Sequence, residues 1–495
     1  MYLLGIDVGT SSVKVALVAA GDQRIIATAQ YPEKEADIIS VKPGWAEQDP
    51  NDWWYCVQQA ILKITSQYKE EAANVKAIGI AYQMHGLVVV DQHQKTLRNS
   101  IIWCDSRAVE LGEDAFEQIG KDKCLASLLN SPGNFTASKL AWVKQHEPEI
   151  YSLIDKAMLP GDFIAMKLTG AVTTTVSALS EAILWDFQKQ QLADEVLAYY
   201  QLDRNHIPEL QPLFSVHGEL TNDVATLLGL STGIPVTYKA GDQLNNALSL
   251  NVMRPGEVAA TAGTSGVIYG VSDQLKADSQ SRVNTFAHVN YSENKSYTGV
   301  LLCINGVGSM YRWAKQQWAP QLSYQQLNQL SQTSPIGSKG LKVLPFGNGA
   351  ERMLTNKYTG AQMLNISLNT HINADVFRAV QEGIAFAFRY GLDIMRSNGL
   401  DPSIIRAGLA NLFLSEVFAQ TFVDVTATPV ELFDNDGSVG AALGAGIGAG
   451  IYKNEQEAFE NLKPIKTIEP RNSRDYEPVY QEWKNILTNK LNEFN

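Results

Sequence analysis

Two short turns carry the residue types that a phosphate group needs. Asp7-Val8-Gly9-Thr10-Ser11 and Ala262-Gly263-Thr264-Ser265 each set a glycine beside hydroxyl side chains, between apolar runs that read as strands. Glycine accepts a tight turn whose amides point at one anion, and Thr10, Ser11 and Ser12 add hydroxyl donors. Past the first turn, strand alternation puts Ser12 and Lys14 on one face and Val13 and Val15 on the other. Lys14 then reaches a phosphate while the valines enter a core. Asp7 ends a buried strand, where its carboxylate suits a hydrated Mg²⁺. Alone, the first turn also reads as an ordinary hairpin with a solvated lysine. Two such turns together would grip the β- and γ-phosphates of a nucleotide from opposite sides.

Asp242 lies in Lys239-Ala240-Gly241-Asp242-Gln243-Leu244-Asn245-Asn246, between a strand-like run (236–240) and a helical one. Two roles are open to it: cap of the helix, or general base that takes a proton from a sugar hydroxyl during phosphoryl transfer. Gln83-Met84-His85-Gly86 follows the apolar run 75–81, at the strand end where an α/β sheet opens toward a ligand. There Gln83 and His85 suit sugar oxygens and Met84 suits the carbon face, against a purely structural role for a single histidine. In Trp103-Cys104-Asp105-Ser106-Arg107, Asp105 and Arg107 either meet a ligand or pair with each other. Neither GxxxxGK[ST] nor GxGxxG occurs among the 37 glycines, which disfavours P-loop and Rossmann readings.

These residues need elements to hold them. Tyr2–Ile6, Val13–Val18 and Arg24–Gln30 read as three consecutive strands separated by turns. Asp49-Pro50 opens a helix, with Asp49 as cap, Pro50 at its first position and Trp53, Val57, Ile61 and Ile64 on one face. Strand-like runs follow at 75–81 and 86–90. A meander, then a helix, then a strand is the opening of an α/β domain with a mixed sheet. The strand–turn–strand pattern recurs at 257–271, which suggests duplication and a boundary near residue 250. Gly440, Gly444 and Gly448 recur every four residues in 437–452. Each costs a helix about 1 kcal/mol relative to alanine, so close packing against a helix or a ligand must compensate. The polar stretch 455–495 reads as a peripheral helical cap.

Composition bounds the partners. With 45% hydrophobic and 19% charged residues the chain has ample core material, which excludes disorder and fibrous repeats. Forty basic against 52 acidic residues give a net charge of -12. No nucleic-acid or membrane partner is expected, and any phosphate must be held by local amides and a lysine or two. The four cysteines form no CxxC pair, as suits free thiols in a reducing compartment. The first residues lack a signal-peptide pattern, and no apolar run reaches the roughly 20 residues of a membrane span. A cytoplasmic location is the expectation.

Taken in order, these residues resemble the FGGY carbohydrate kinases, and among them the xylulose-kinase branch, over nearly the whole chain. The resemblance rests on Gly5-Ile6-Asp7-Val8-Gly9-Thr10, Gly44-Trp45-Ala46-Glu47-Gln48-Asp49-Pro50, Gln83-Met84-His85-Gly86, and Trp103 with Asp105 and Arg107. It continues in Pro132-Gly133-Asn134-Phe135-Thr136-Ala137 with Lys139-Leu140, in His146-Glu147-Pro148-Glu149-Ile150, in Gly241-Asp242 and in Gly263-Thr264-Ser265-Gly266.

It implies a duplicated α/β fold of the actin/hexokinase/Hsp70-like (ribonuclease H-like) kind, with a mixed sheet flanked by helices in each of two domains, 1–247 and 248–495. The implied reaction is ATP-dependent phosphorylation of a ketopentose, foremost D-xylulose to D-xylulose 5-phosphate, with Asp242 as base and Asp7 assisting through Mg²⁺ and phosphate. Sugar contacts fall on Gln83, Met84, His85, Trp103, Asp105 and Asp242. Nucleotide contacts fall on Gly9, Thr10, Ser11 and Lys14, on Gly263, Thr264 and Ser265, and on Gly408 and Asn411. Dimers are common in that family, so a homodimer is an expectation by resemblance.

Two segments depart from the family pattern. The nucleotide loop, usually Gly-Gly-Gly-Ala followed by Arg/Lys-Ser, reads Ala407-Gly408-Leu409-Ala410-Asn411-Leu412, and the usual Asp-x-Ser-Asp-Ala reads Thr175-Val176-Ser177-Ala178. Ribulose, L-xylulose, a pentitol and gluconate are the alternative acceptors. A non-catalytic sugar sensor or actin-like assembly ATPase is the alternative of another class.

Overall fold

A computed structural model of the chain describes residues Met1–Phe494. Contacts divide it into two compact units. The first takes in Met1–Met253, Phe286–Thr298 and Asp436–Leu462, and the second Arg254–Thr285, Gly299–Asn435 and the chain from Lys463 onward.

In the first unit, β1 (Tyr2–Val8), β2 (Val13–Ala19) and β3 (Ile25–Tyr31) form the antiparallel meander that the sequence predicts. β4 (Val75–Tyr82) and β5 (Val236–Gly241) add in parallel on the other side of β1, giving the order β5-β4-β1-β2-β3. Because β1, β4 and β5 run the same way, their C-terminal ends share one edge. Register sets Val8 beside Tyr82, and Tyr82 beside Gly241. Asp7, Gln83 and Asp242 are thus brought to that edge by strand direction alone. Helix Pro50–Thr65 covers the sheet with Trp53, Val57, Ala60, Ile61 and Ile64 buried, and Asp49 caps it through the Asn51 amide at 2.8 Å.

The glycine-rich run forms helix Gly437–Gly448, which lies against β1, β4 and β5. Its backbone approaches the sheet so closely that side chains are excluded on both sides. A Cβ on Gly5 would come within 1.8 Å of the Ser438 carbonyl oxygen, and one on Gly79 within 2.0 Å of that of Ala441. From the helix, Gly440 abuts Ser249, Gly444 the Tyr238 ring and Gly448 the Thr237 carbonyl. Close packing is therefore what compensates these glycines. The same packing holds 436–462 with the first sheet, beyond the cut expected at 247/248.

In the second unit, β6 (Glu257–Ala262) pairs antiparallel with β7 (Gly266–Ser272) and parallel with β9 (Ile404–Gly408), which is parallel to β10 (Val430–Phe433). With β8 (Thr298–Ile304) and β11 (Lys466–Ile468) the order is β8-β7-β6-β9-β10-β11, and one more edge strand, Asn284–Ala287, straddles the unit boundary. The run β10-β9-β6-β7-β8 repeats the order β5-β4-β1-β2-β3, so the recurring strand–turn–strand pattern marks a repeated fold. The tail is less peripheral than its polarity suggests: helix Ser473–Asn492 buries Tyr476, Tyr480, Trp483 and Leu487 in the second core. Among the described residues no helix is long and apolar enough to cross a membrane.

The helix–sheet contact yields a direct expectation. Gly79→Ala sets a methyl group against backbone that cannot turn aside, and costs about 1–3 kcal/mol or more. Urea denaturation should show the loss, and an unchanged midpoint would refute the packing described.

Candidate active site

Asp7 stands one residue from the end of β1, directly across the hairpin from Lys14 of β2. Val13 and Val15 are buried while Lys14 is exposed, as alternation requires. Asp242 is the first residue of helix Asp242–Ser249; the cap position is held by Gly241, and no side chain caps the helix. The capping role open to Asp242 in the sequence is thus not the one it takes. Gln243 donates to its carboxylate from both backbone and side chain.

A third carboxylate joins them. Asp436 caps helix Gly437–Gly448 by accepting from the Ser438 amide at 2.8 Å and the Ser438 hydroxyl at 2.5 Å. Burial first, and the Asp436 charge second, push Asp7 up to about 6, against the pull of Lys14. Burial first, and the Asp7 charge second, push Asp242 up to about 7, against the Gln243 hydrogen bonds. Gly437 lets Asp7 in: a Cβ there would come within 2.4 Å of Asp7 Oδ2. Among the described residues no group of three or more His, Cys, Asp or Glu is arranged to hold a metal ion. What the edge offers is single carboxylates, Asp7 foremost, toward a hydrated cation carried in by a phosphate ligand.

The first turn is braced from below. Thr10 Oγ1 donates to Gln83 Oε1 at 3.2 Å and accepts from Trp103 Nε1 at 3.0 Å, while Gln48 Nε2 donates to the Thr10 carbonyl at 2.8 Å. Gln83 Nε2 in turn donates to Gln48 Oε1 at 3.1 Å. Gln83, expected at the sugar, is therefore buried and spends its amide on the hairpin. Gly9 closes the turn through its amide to the Ser12 carbonyl at 3.1 Å, and Ser11 is exposed.

Beside this brace, Met84 is buried under Gly241, where a Cβ would come within 2.6 Å of Met84 Cγ. His85 adopts φ 62°. Its ring meets Phe135 edge-on at 4.8 Å and Phe286 at 5.4 Å. Lys139, fully buried, fixes that segment by donating to the His85 carbonyl at 2.9 Å and the Ile102 carbonyl at 3.0 Å, and burial lowers its pKa to about 7. Trp103 is exposed at the rim. Asp105 is buried, accepting from the Ala46 amide at 2.6 Å and pairing with Arg107 at 2.6 Å. Of its two readings the pairing is the one observed.

The second unit holds a cavity of about 870 Å³, whose lining includes Gly263, Thr264, Gly308, Tyr311, Arg312 and Asn411. Helix Gly308–Trp318 braces the second turn, with the Gly308 amide on the Gly263 carbonyl at 2.9 Å and the Ser309 amide on that of Thr264 at 3.1 Å. Asn411, at φ 52°, brings its side chain beside Gly263. Gly408 at the end of β9 and the exposed Ser265 fall outside the cavity lining. A nucleotide fits this volume and these polar groups.

Asp436 was missed by sequence reasoning, although Asp-Gly-Ser opening a small-residue helix is a capping pattern.

Family models for the N-terminal and C-terminal domains of the FGGY family of carbohydrate kinases match residues 2–249 and 258–450. The chain is 29% identical to the xylulose kinase of Escherichia coli (strain K12), over 99% of each chain. The solved xylulose kinase from Rhodospirillum rubrum superposes with a TM-score of 0.89 at 25% identity, covering 100% of this chain and 99% of that one. A gluconate kinase from Lactobacillus acidophilus shares the fold at TM-score 0.89 and 22% identity, over 100% and 99% of the two chains. The two-domain fold is thus of the actin/hexokinase-like kind.

The crowded carboxyls make stability depend on pH. Asp7 and Asp242 bind their protons more tightly folded than unfolded, where the ordinary value is 3.8. The stability this gives is full below that value and is lost as pH rises through about 6 and about 7. Asp242→Asn removes the charge, so near pH 8 it should be more stable than wild type, by on the order of 1–3 kcal/mol. Near pH 4 the gap should close. Thermal melting at both pH values checks this, and equal melting near pH 8 would refute it.

Proposed function

The chain belongs to the FGGY family of carbohydrate kinases, and from that premise we propose that it transfers the γ-phosphoryl group of ATP to a ketopentose, D-xylulose foremost, giving D-xylulose 5-phosphate. The observation that carries the reading is the Asp242 carboxyl at the end of β5, pushed to about 7 by burial and Asp7. A base of that basicity works near neutral pH, where it is ionised in useful fraction yet still attracts a proton.

The O5 proton passes to Asp242 as O5 bonds to the γ-phosphorus; the bond from that phosphorus to the β,γ-bridging oxygen breaks, and ADP leaves. Proton removal matters because an alkoxide-like oxygen is the better nucleophile, while the protein's larger task is to align donor and acceptor. Charge on the transferring group is met by the turn at Gly9–Ser11, by Lys14 and by the Mg²⁺ that accompanies ATP as substrate. Asp7 faces that Mg²⁺ through water. The Gly263–Thr264 turn, Gly308 and Asn411 support placing ATP in the cavity of the second unit. Met84 and His85 face the sugar, with Trp103 at its rim. The four cysteines are free thiols, which supports a cytoplasmic setting.

The first test is ADP release with Mg-ATP against D-xylulose, ribulose, L-xylulose, a pentitol and gluconate. Fastest sugar-dependent turnover on D-xylulose is expected; fastest turnover on gluconate would overturn the ketopentose assignment. In Asp242→Asn, kcat should fall by roughly 10² or more while sugar affinity persists, and near-normal turnover would remove Asp242 from the base role. In the wild type, kcat/KM should rise with pH and level off above about 7, as the free enzyme's base ionises. A flat profile across that range would contradict the assignment.

A further inference from the structure

Beneath Gly241 lies a carboxyl group that the mechanism does not use. Glu181 ends helix Val176–Glu181 and is 1% exposed. One oxygen, Oε1, accepts from the Tyr82 hydroxyl at 2.6 Å. The other, Oε2, is buried without a hydrogen-bond partner among the described residues. It lies 3.2 Å from where a Gly241 Cβ would stand, beside Met84, and 3.7 Å from His85 Nδ1. That His85 nitrogen faces instead the Glu181 backbone carbonyl, at 3.1 Å.

A buried polar atom left unpaired is costly, and such atoms are rare in folded proteins. Here glycine at 241 keeps the space before Oε2 free of a side chain. The groups around this carboxyl include the Met84 thioether, the His85 ring and backbone amide, the Tyr82 hydroxyl, Gly241, and the charges of Asp162 and Asp242. We propose that Glu181 Oε2 hydrogen-bonds one hydroxyl group, at C1, C3 or C4, of the neutral acceptor sugar and thereby determines specificity at that oxygen; the inference rests on the kinase reading above. Burial foremost, then the charges of Asp242 and Asp162, holds this carboxyl well above the ordinary carboxylate range. With Oε1 already accepting from Tyr82, Oε2 is the oxygen left to bond the sugar. A site built around such a hydrogen-bonding group rejects an analogue that lacks the matching oxygen far better than an apolar pocket rejects an extra methylene.

The test is isothermal titration, without nucleotide, of D-xylulose and its 1-, 3- and 4-deoxy analogues into wild type, Glu181→Gln and Glu181→Met. Wild type should bind one deoxy analogue about 10–100-fold more weakly than D-xylulose. Glu181→Met should lose about as much affinity for D-xylulose and cease to distinguish that analogue, while Glu181→Gln, which keeps a donor, should stay within a few-fold of wild type. A general packing role does not predict rescue by Gln together with loss of discrimination at one oxygen. Should Glu181→Met fail to fold, infrared difference spectra decide. The carboxyl C=O band that is missing in Glu181→Gln must shift when D-xylulose is added to wild type.

Equal binding of all analogues by wild type and Glu181→Met, or a band indifferent to sugar, would overturn the inference, with a buried water then satisfying Oε2. Turnover of wild type is read separately. Binding with discrimination but no phosphorylated product would defeat the kinase reading and leave the role of Glu181 standing. Turnover with no effect at Glu181 would do the reverse.

Discussion

Backbone laid on backbone is the constraint from which the acidic edge of the first unit follows. Helix Gly437–Gly448 reaches β1 and β4 only because Gly5 and Gly79 have no side chains to keep its carbonyls away. That approach brings the helix N-terminus, with its capping residue Asp436, to the strand ends where Asp7 and Asp242 stand. Gly437 completes the fit, since any larger residue would displace the Asp7 carboxylate. A helix with ordinary spacing would hold its cap farther from the sheet and dilute the charge that raises Asp7. The same contact gives the small residues their use: each glycine weakens the helix by itself, and close docking offsets that loss.

Crowding of like charge is costly, and the fold meets the cost by bracing everything around it. Gln48, Gln83, Thr10 and Trp103 hold the first turn in a closed set of hydrogen bonds, so Lys14 is delivered opposite Asp7 by a rigid hairpin. Lys139 does the same for the His85 segment, spending a buried ammonium group on two carbonyls. Asp105 serves at one remove, tying the Ala46 amide to Arg107, which stacks on Trp45 at 3.8 Å. Several of these polar residues have the types that would suit direct sugar contact, yet their atoms are committed to holding others in place. Precision at a reactive centre depends on such supporting contacts as much as on the groups that touch ligand.

The boundary between legible and illegible residues follows the range of the interactions. The hairpins, the Asp49-Pro50 helix start and the close-packed glycine helix are local patterns with local causes, and alternation alone sorted Val13 and Val15 from Lys14. The hydrogen bonds that Gln83 and Asp105 make to Thr10, Gln48 and Ala46 were not legible, because those partners lie 35 to 73 positions away. Nothing in Ser180-Glu181-Ala182 announces a buried acid, since its burial is made by Tyr82, Met84 and Gly241, about 60 to 100 residues distant along the chain. A helix at 437–448 likewise packs with strands at 2–8 and 75–82, across the boundary expected at 247/248, through contacts that no linear reading displays.

Duplication explains why the two units divide the chemistry so unevenly. Both place a Gly-Thr-Ser turn after the strand that pairs antiparallel with the next one and parallel with a later one. In the first copy the residue two before the glycine is Asp7; in the second it is Thr261. One turn therefore stands beside a carboxylate, and the other beside a threonine hydroxyl. Each copy opens the helix after its last parallel strand on an acidic residue, Asp242 after β5 and the cap Asp436 after β10. The second copy's turn is held by the Gly308 helix and opens on a cavity whose lining is rich in amide side chains, Gln325, Asn328, Gln329, Gln332 and Asn411 among them. Arg312 and Glu416 stand among these amides, so the cavity is mixed in character where the first edge is acidic. A common backbone thus carries different side chains at the strand ends of its two copies, with the order of the sheet that carries them unchanged.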